Sequence, residues 1–98
     1  MLLDLGFNFK DLDENELPGQ TAAKLIANIL AGKPDGIELA KAALWLHDLY
    51  KVGSIEIDKV DLEVFEKFVK KLAEEKQGGI TVLAWYQIQE AIDKAKTA

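Results

Sequence analysis

The stretch Leu3–Lys10, LDLGFNFK, alternates without interruption. Leu3, Leu5, Phe7 and Phe9 fall on one side of an extended chain, Asp4, Gly6, Asn8 and Lys10 on the other. Successive side chains of a strand point to opposite faces, so a period of two predicts a strand with one face buried. Most of the remaining sequence reads as helix, and this stretch therefore decides between an all-helical bundle and a mixed fold. A second short alternation, Ser54-Ile55-Glu56-Ile57-Asp58, offers the partner strand. Two short strands are marginal alone in water, so they need helices to pack against.

Four helices are set out by the chain's punctuation. The first begins after LPGQT (Leu17–Thr21), carries Ala22, Leu25, Ile26, Ile29 and Leu30 at helical spacing, and ends at Gly32. After the KPDG turn, Asp35 with Glu38 three residues on predicts a capped helix to about Tyr50. Asp58 caps a third helix to about Lys76, which buries Leu62, Phe65, Phe68, Val69 and Leu72. Its outer face carries Glu63–Lys67, Glu66–Lys70 and Lys71–Glu75 one turn apart, as a solvated face does. QGG breaks that helix, Thr81 caps the fourth, and Ile80 with Trp85 forms a hydrophobic staple ahead of Ile88, Ala91, Ile92 and Ala95. The expected fold is α+β and mainly helical: four helices packed with a small two-stranded antiparallel sheet, in a single domain over residues 1–98.

Ninety-eight residues, 49% hydrophobic and 30% charged, suit a globular chain rather than a disordered one. Seventeen acids outweigh twelve bases for a net charge of -5, and every base is a lysine. Arginine supplies the planar fork preferred for phosphate and guanine contacts, so its absence argues against nucleic-acid binding. No apolar run approaches the roughly 18 residues of a membrane span, and MLLDLGF is interrupted too early for a signal peptide. A cytoplasmic location is expected. Without cysteine there are no disulfides and no thiolate metal sites.

The nearest approach to a chemical motif is DLDENE, Asp11–Glu16. A calcium loop needs oxygen ligands at positions 1, 3 and 5, glycine at 6 and a bidentate glutamate at 12. Asp11, Asp13 and Asn15 fit the first three, but position 6 is Glu16 and position 12 is Ala22. The stretch reads as a polar turn, and no metal or other cofactor is expected. His47 is the sole histidine, with Ala43 and Lys51 one turn to either side where a second ligand would sit. Ser54 is the sole serine and lies in VGSIE, with no nucleophile elbow around it. QGGIT places two glycines before a helix start but lacks the phosphate-loop lysine and spacing. Enzymatic activity is not expected.

Surface shape remains. On the second helix Leu39, Ala42, Ala43, Leu46, Leu49 and Tyr50 share one face, read as the core. Ile37 and Leu44 lie nearly opposite, beside Lys41 and Asp48, with Trp45 on the flank. On the fourth helix Leu83 and Tyr86 lie across from the buried stripe, next to Glu90. A second apolar face means either a helix covered on two sides or a contact surface. The expected interface is therefore Ile37, Leu44, Trp45, Leu83 and Tyr86, ringed by Lys41, Asp48 and Glu90.

The segments FNFKDLDENELPGQTAAKLIANIL (Phe7–Leu30), ALWLHDLY (Ala43–Tyr50), IEIDKVDLEVFEKFV (Ile55–Val69) and ITVLAWYQIQEAI (Ile80–Ile92) together resemble small accessory proteins of tailed phages and prophages. The resemblance is one of overall pattern and contains no catalytic motif. It implies work inside an infected bacterial cell, in particle assembly or in interference with a host system. Within that pattern glycine would suit the turn where this chain carries Glu16. The leading expectation is a non-enzymatic protein that binds itself or a protein partner through its secondary apolar faces, with an assembly chaperone as a special case. The alternative is a small-ligand binder sequestering a nucleotide signal, between subunits or at the start of the fourth helix, with Lys41, Lys51 and Lys59 supplying charge.

Overall fold

The leading alternation folds as two strands rather than one. A computed structural model describes residues 1–32, 36–77 and 79–97. Strand β1 (Leu2–Asp4) pairs antiparallel with β4 (Ser54–Glu56) in the register Leu2–Glu56, Leu3–Ile55 and Asp4–Ser54. Strand β2 (Asn8–Lys10) pairs antiparallel with β3 (Glu16–Thr21) in a second ribbon. Between them Asp4 Oδ1 accepts from the Gly6 amide at 2.9 Å and turns the chain. The alternation nevertheless survives: Leu3, Leu5 and Phe9 are buried and Phe7 is half-buried, edge-on to Phe9.

The DLDENE stretch is the turn of the β2–β3 hairpin. Asp11 Oδ1 accepts from the amides of Asp13 and Asn15, both at 2.9 Å, and the Asp11 amide donates to the Asn15 carbonyl. Side chains of Asp commonly close turns in this way. The left-handed residue is Glu14, at φ 64°, and Glu16 instead opens β3. β3 escaped the sequence reading because Pro18 and Gly19 interrupt it and its side chains do not alternate.

The helices are α1 (Ala22–Leu30), α2 (Leu39–Lys51), α3 (Lys59–Glu74) and α4 (Val82–Thr97), so the fold is mainly helical α+β. Asp58 caps α3 through the Asp61 amide at 2.7 Å, and Thr81 caps α4 through the Ala84 amide at 3.1 Å. α3 buries Leu62, Phe65, Phe68, Val69 and Leu72, the five residues that its periodicity marks. α1 is capped by Thr21, whose hydroxyl accepts from the Lys24 amide. α2 begins later than the capping-box reading: Glu38 occupies the N-cap with no side-chain bond, and Asp35 lies outside the described residues.

The β1–β4 ribbon sits at the centre, with α4 against β1 and α2 against β4. Its tight entry depends on Gly53, whose φ is 90° and where a Cβ would come within 3.2 Å of the Gly6 Cα. α1 lies on α2, and α3 lies on α4. Trp45, Phe65 and Phe68 form a chain of edge-on rings, 5.8 Å and 6.2 Å between centroids, that joins α2 to α3. Ion pairs reinforce the seams: Lys41 Nζ donates to Asp61 between α2 and α3, and Lys96 Nζ donates to both carboxylate oxygens of Glu66 between α4 and α3.

Candidate functional site

The face that α2 buries differs from the one its sequence suggests. Ala42, Trp45 and Leu49 are buried, while Leu39, Ala43 and Tyr50 of the expected core face are exposed. Trp45 is 3% exposed and packs edge-on against Phe65, so it belongs to the core and not to an interface. The cause is size. Trp45 and Leu49 fill the space over α3 and β4, which rotates α2 so that a second stripe turns outward. That stripe is Leu39, Ala43, Leu46 and Tyr50, at spacings of four, three and four, one continuous ridge of a helix. Leu39 is 68% exposed and Tyr50 59%, while Leu46 is half-buried.

Beside this ridge runs an apolar groove of about 400 Å³, lined by Leu30 and Ala31 at the end of α1 and by Ile37, Leu39, Ala42, Ala43 and Leu46. Among the described residues no charged side chain lines it. Ile37 is half-buried in its floor, so this expected interface residue does belong to an apolar depression, though on the side of Leu39 rather than of Leu44. Burying such a surface yields about 25 cal/mol per Å² of apolar area, and that gain is open to whatever covers it.

The other expected residues separate. Leu44 is exposed on the far flank of α2, and Asp48 is half-buried. Lys41 is bound to Asp61, whose hydrogen bond holds the ammonium above the usual lysine range. It is thus committed to the α2–α3 seam and does not ring a patch. Tyr86 is 58% exposed beside Val82 one turn earlier, and Glu90 is exposed one turn later on the same helix. Leu83 is half-buried and faces a second cleft.

That second cleft, about 390 Å³, lies between the β2–β3 hairpin, α1 and the start of α4. Lys10, Lys24, Leu25, Thr81, Leu83 and Gln87 are among its walls, whereas Lys41, Lys51 and Lys59 are not. Three of its polar side chains are already engaged. Thr21 and Thr81 cap their own helices, and the Gln87 amide is bonded to Lys10 at both ends. The remaining chemistry-bearing side chains stand apart: Ser54 faces Asp4 in the β1–β4 ladder, and the exposed ring of His47 comes no closer than 3.4 Å to Asp48. No three His, Asp or Glu side chains converge as metal ligands do among the described residues.

No protein-family model matches the chain, and no curated protein or solved structure is similar to it. No helix among the described residues is long and apolar enough to cross a membrane.

The exposed stripe had a signal in the sequence. α2 carries apolar residues around most of its circumference, so periodicity alone offers more than one stripe for burial. Aromatic bulk was the better guide: the helix buries its Trp and exposes its Tyr, which keeps a hydroxyl for water.

Proposed function

We propose that this chain is a non-enzymatic interaction protein whose contact surface is the apolar groove and ridge of α2. The observation that carries the reading is the pairing of Leu39 and Tyr50, both well exposed, with a groove on the same side of one helix that is lined, among the described residues, by apolar side chains alone. A single exposed leucine means little, but a continuous ridge with a groove beside it is the form that helix-binding surfaces take. The resemblance to phage accessory proteins suggests the setting, the cytoplasm of a bacterial cell, and the kind of task, particle assembly or interference with a host system. Chaperoning of an assembly intermediate is one case of the same contact.

The test is a photo-reactive residue at Leu39, with the same residue at exposed Glu63 on α3 as control. Adducts formed in bacterial cells at Leu39 and absent at Glu63 support the contact surface. Equal yields at the two positions overturn it.

A second reading, a small-ligand binder, is favoured by the cleft at the start of α4, where Lys10 and Lys24 are available to an anion. It differs from the sequence-based version in its lysines. A nucleotide that raises the melting temperature in the wild type and not in a Lys24→Ala variant would support it.

A further inference from the structure

The cleft at the start of α4 has what the α2 groove lacks among the described residues, positive charge set beside apolar walls. We propose that it binds a small aliphatic anion, a straight chain of about eight carbons ending in a carboxylate or a phosphate. Lys10 and Lys24 hold the head group, and Leu17, Leu25 and Leu83 pack on the chain. The proposal rests on the small-ligand reading of this cleft and names the ligand's class.

Charge selects the head group. The chain carries seventeen acids against twelve lysines, yet among the described residues the cleft is lined by two lysines and no acid. The lysines stand on different walls, Lys10 on β2 and Lys24 in the first turn of α1. Both are exposed, and the ion pairs among the described residues engage Lys41 and Lys96 but neither of these two. The nearby acids are placed elsewhere. Glu16, opposite Lys10 in the hairpin ladder, does not line the cleft, and the Asp11 carboxylate accepts from the Asp13 and Asn15 amides of its own turn. An anion entering the cleft thus meets two ammonium groups, and a cleft lined by one sign of charge concentrates the opposite ion.

The walls select the body. Leu17, Leu25 and Leu83 are half-buried and line the cleft from β3, α1 and α4. The aromatic side chain among the described lining residues is Phe9, which at 7% exposure offers no open ring face. Bases are held largely by stacking on such faces, whereas an aliphatic chain needs only apolar contact. Thr21, Thr81 and Gln87 have already spent hydrogen bonds within the fold, which leaves exposed Gln20 and Asn28 as the remaining neutral polar side chains. Cations beside hydrocarbon match an amphiphile. The volume, about 390 Å³, suits one short chain, being near the lower end of the roughly 300–1,000 Å³ of ligand pockets.

The test is a titration of the labelled protein, followed by amide NMR, with octanoate, octyl phosphate, 1-octanol, acetate and AMP at millimolar concentrations. At least one of the two octyl anions is expected to move the Lys10, Leu25, Leu83 and Ala84 amides to saturation, and the tighter of the two identifies the head group. Octanol, which lacks the charge, and acetate, which lacks the chain, should each bind about tenfold more weakly or worse. Each methylene added between butanoate and octanoate should tighten binding about two- to fourfold. Lys10→Ala and Lys24→Ala, exposed substitutions that leave the fold intact, should each weaken the octyl anion about threefold. Octyl-anion shifts centred on Leu39, Ala43 and Leu46 overturn the proposal, as does binding that both alanine variants leave unchanged. AMP binding that depends on Lys24, with neither octyl anion bound, overturns it and leaves the small-ligand reading of the cleft standing. Absence of binding by every probe overturns both.

Discussion

Gln87 is the residue that ties the β2–β3 hairpin to α4, and replacing it tests how the hairpin is held. Its Oε1 accepts from the Lys10 amide at 2.8 Å and its Nε2 donates to the Lys10 carbonyl at 2.9 Å, across 77 residues of sequence. The side-chain amide thus satisfies both polar groups of an edge-strand residue, as a neighbouring strand would. A net hydrogen bond contributes about 0.5–1.5 kcal/mol, and both of these are solvent-exposed, so the low end applies to each. Gln87→Ala should therefore cost about 1 kcal/mol by urea denaturation, equivalent to about 5 °C in melting temperature for a domain of this size. The loss should be local: the Lys10 amide loses its hydrogen-exchange protection while the Leu3 and Ile55 amides keep theirs. Gln87→Glu sharpens the test. It keeps the acceptor for the Lys10 amide but sets a carboxylate against the Lys10 carbonyl, so at neutral pH it should be no more stable than the alanine variant. Below about pH 4.3 the protonated acid can donate, and the glutamate variant should overtake the alanine one. An unchanged Lys10 protection in Gln87→Ala, or a stability within about 0.2 kcal/mol of wild type, would refute the reasoning.

Three further outcomes are expected. Trp45→Ala should cost about 3–5 kcal/mol by urea denaturation, against under about 0.5 kcal/mol for Leu44→Ala, because one side chain fills the core and its neighbour faces water. Comparable losses would mean that the buried face of α2 is misplaced. Lys76 sits left-handed at φ 55° just past α3, where the Gln77 amide bonds back to the Leu72 carbonyl. Glycine is the favoured residue there, so Lys76→Gly should raise stability by about 1 kcal/mol, and a loss would refute the strain. Lys96, followed by Gln89, hydrogen-bonds the Glu66 carboxylate and lowers its pKa from the ordinary 4.5. A depressed folded-state pKa contributes stability that is present above the unfolded value and lost as pH falls through the folded one. The stability advantage of wild type over Glu66→Gln should accordingly be full at neutral pH and vanish on acidification below pH 4.5. An advantage independent of pH would refute the linkage.

Much of this architecture could be read from local pattern. α3 shows why: its cap, its five core residues and its solvated charge pairs all lie within one segment and agree with one another. The β1–β4 pairing was equally legible, since both segments alternate and both needed a partner. Other features depend on what lies far away in sequence. β3 contains Pro18 and Gly19 and exists because β2 is beside it. The Gln87 clasp needs a helix brought next to a strand 77 residues earlier. α2 is the instructive failure. Periodicity finds apolar stripes and cannot rank two on one helix, and here the choice followed from the volume of Trp45 against Phe65. The candidate surface moves with it: of the expected core face Ala42 and Leu49 are buried while Leu39, Ala43 and Tyr50 are exposed, and Leu44 is left without the company of Trp45.

The central claim is that the α2 ridge is where this molecule is touched. Backbone amide resonances of the labelled protein, compared by NMR between dilute buffer and bacterial lysate, test it most directly. Shifts or broadening are expected at Leu39, Ala43, Leu46 and Tyr50, with α1 residues Leu30 and Ala31 affected alongside and Val82, Tyr86 and the α3 surface unchanged. Shifts gathered at Val82 and Tyr86, with the α2 ridge unmoved, would contradict it.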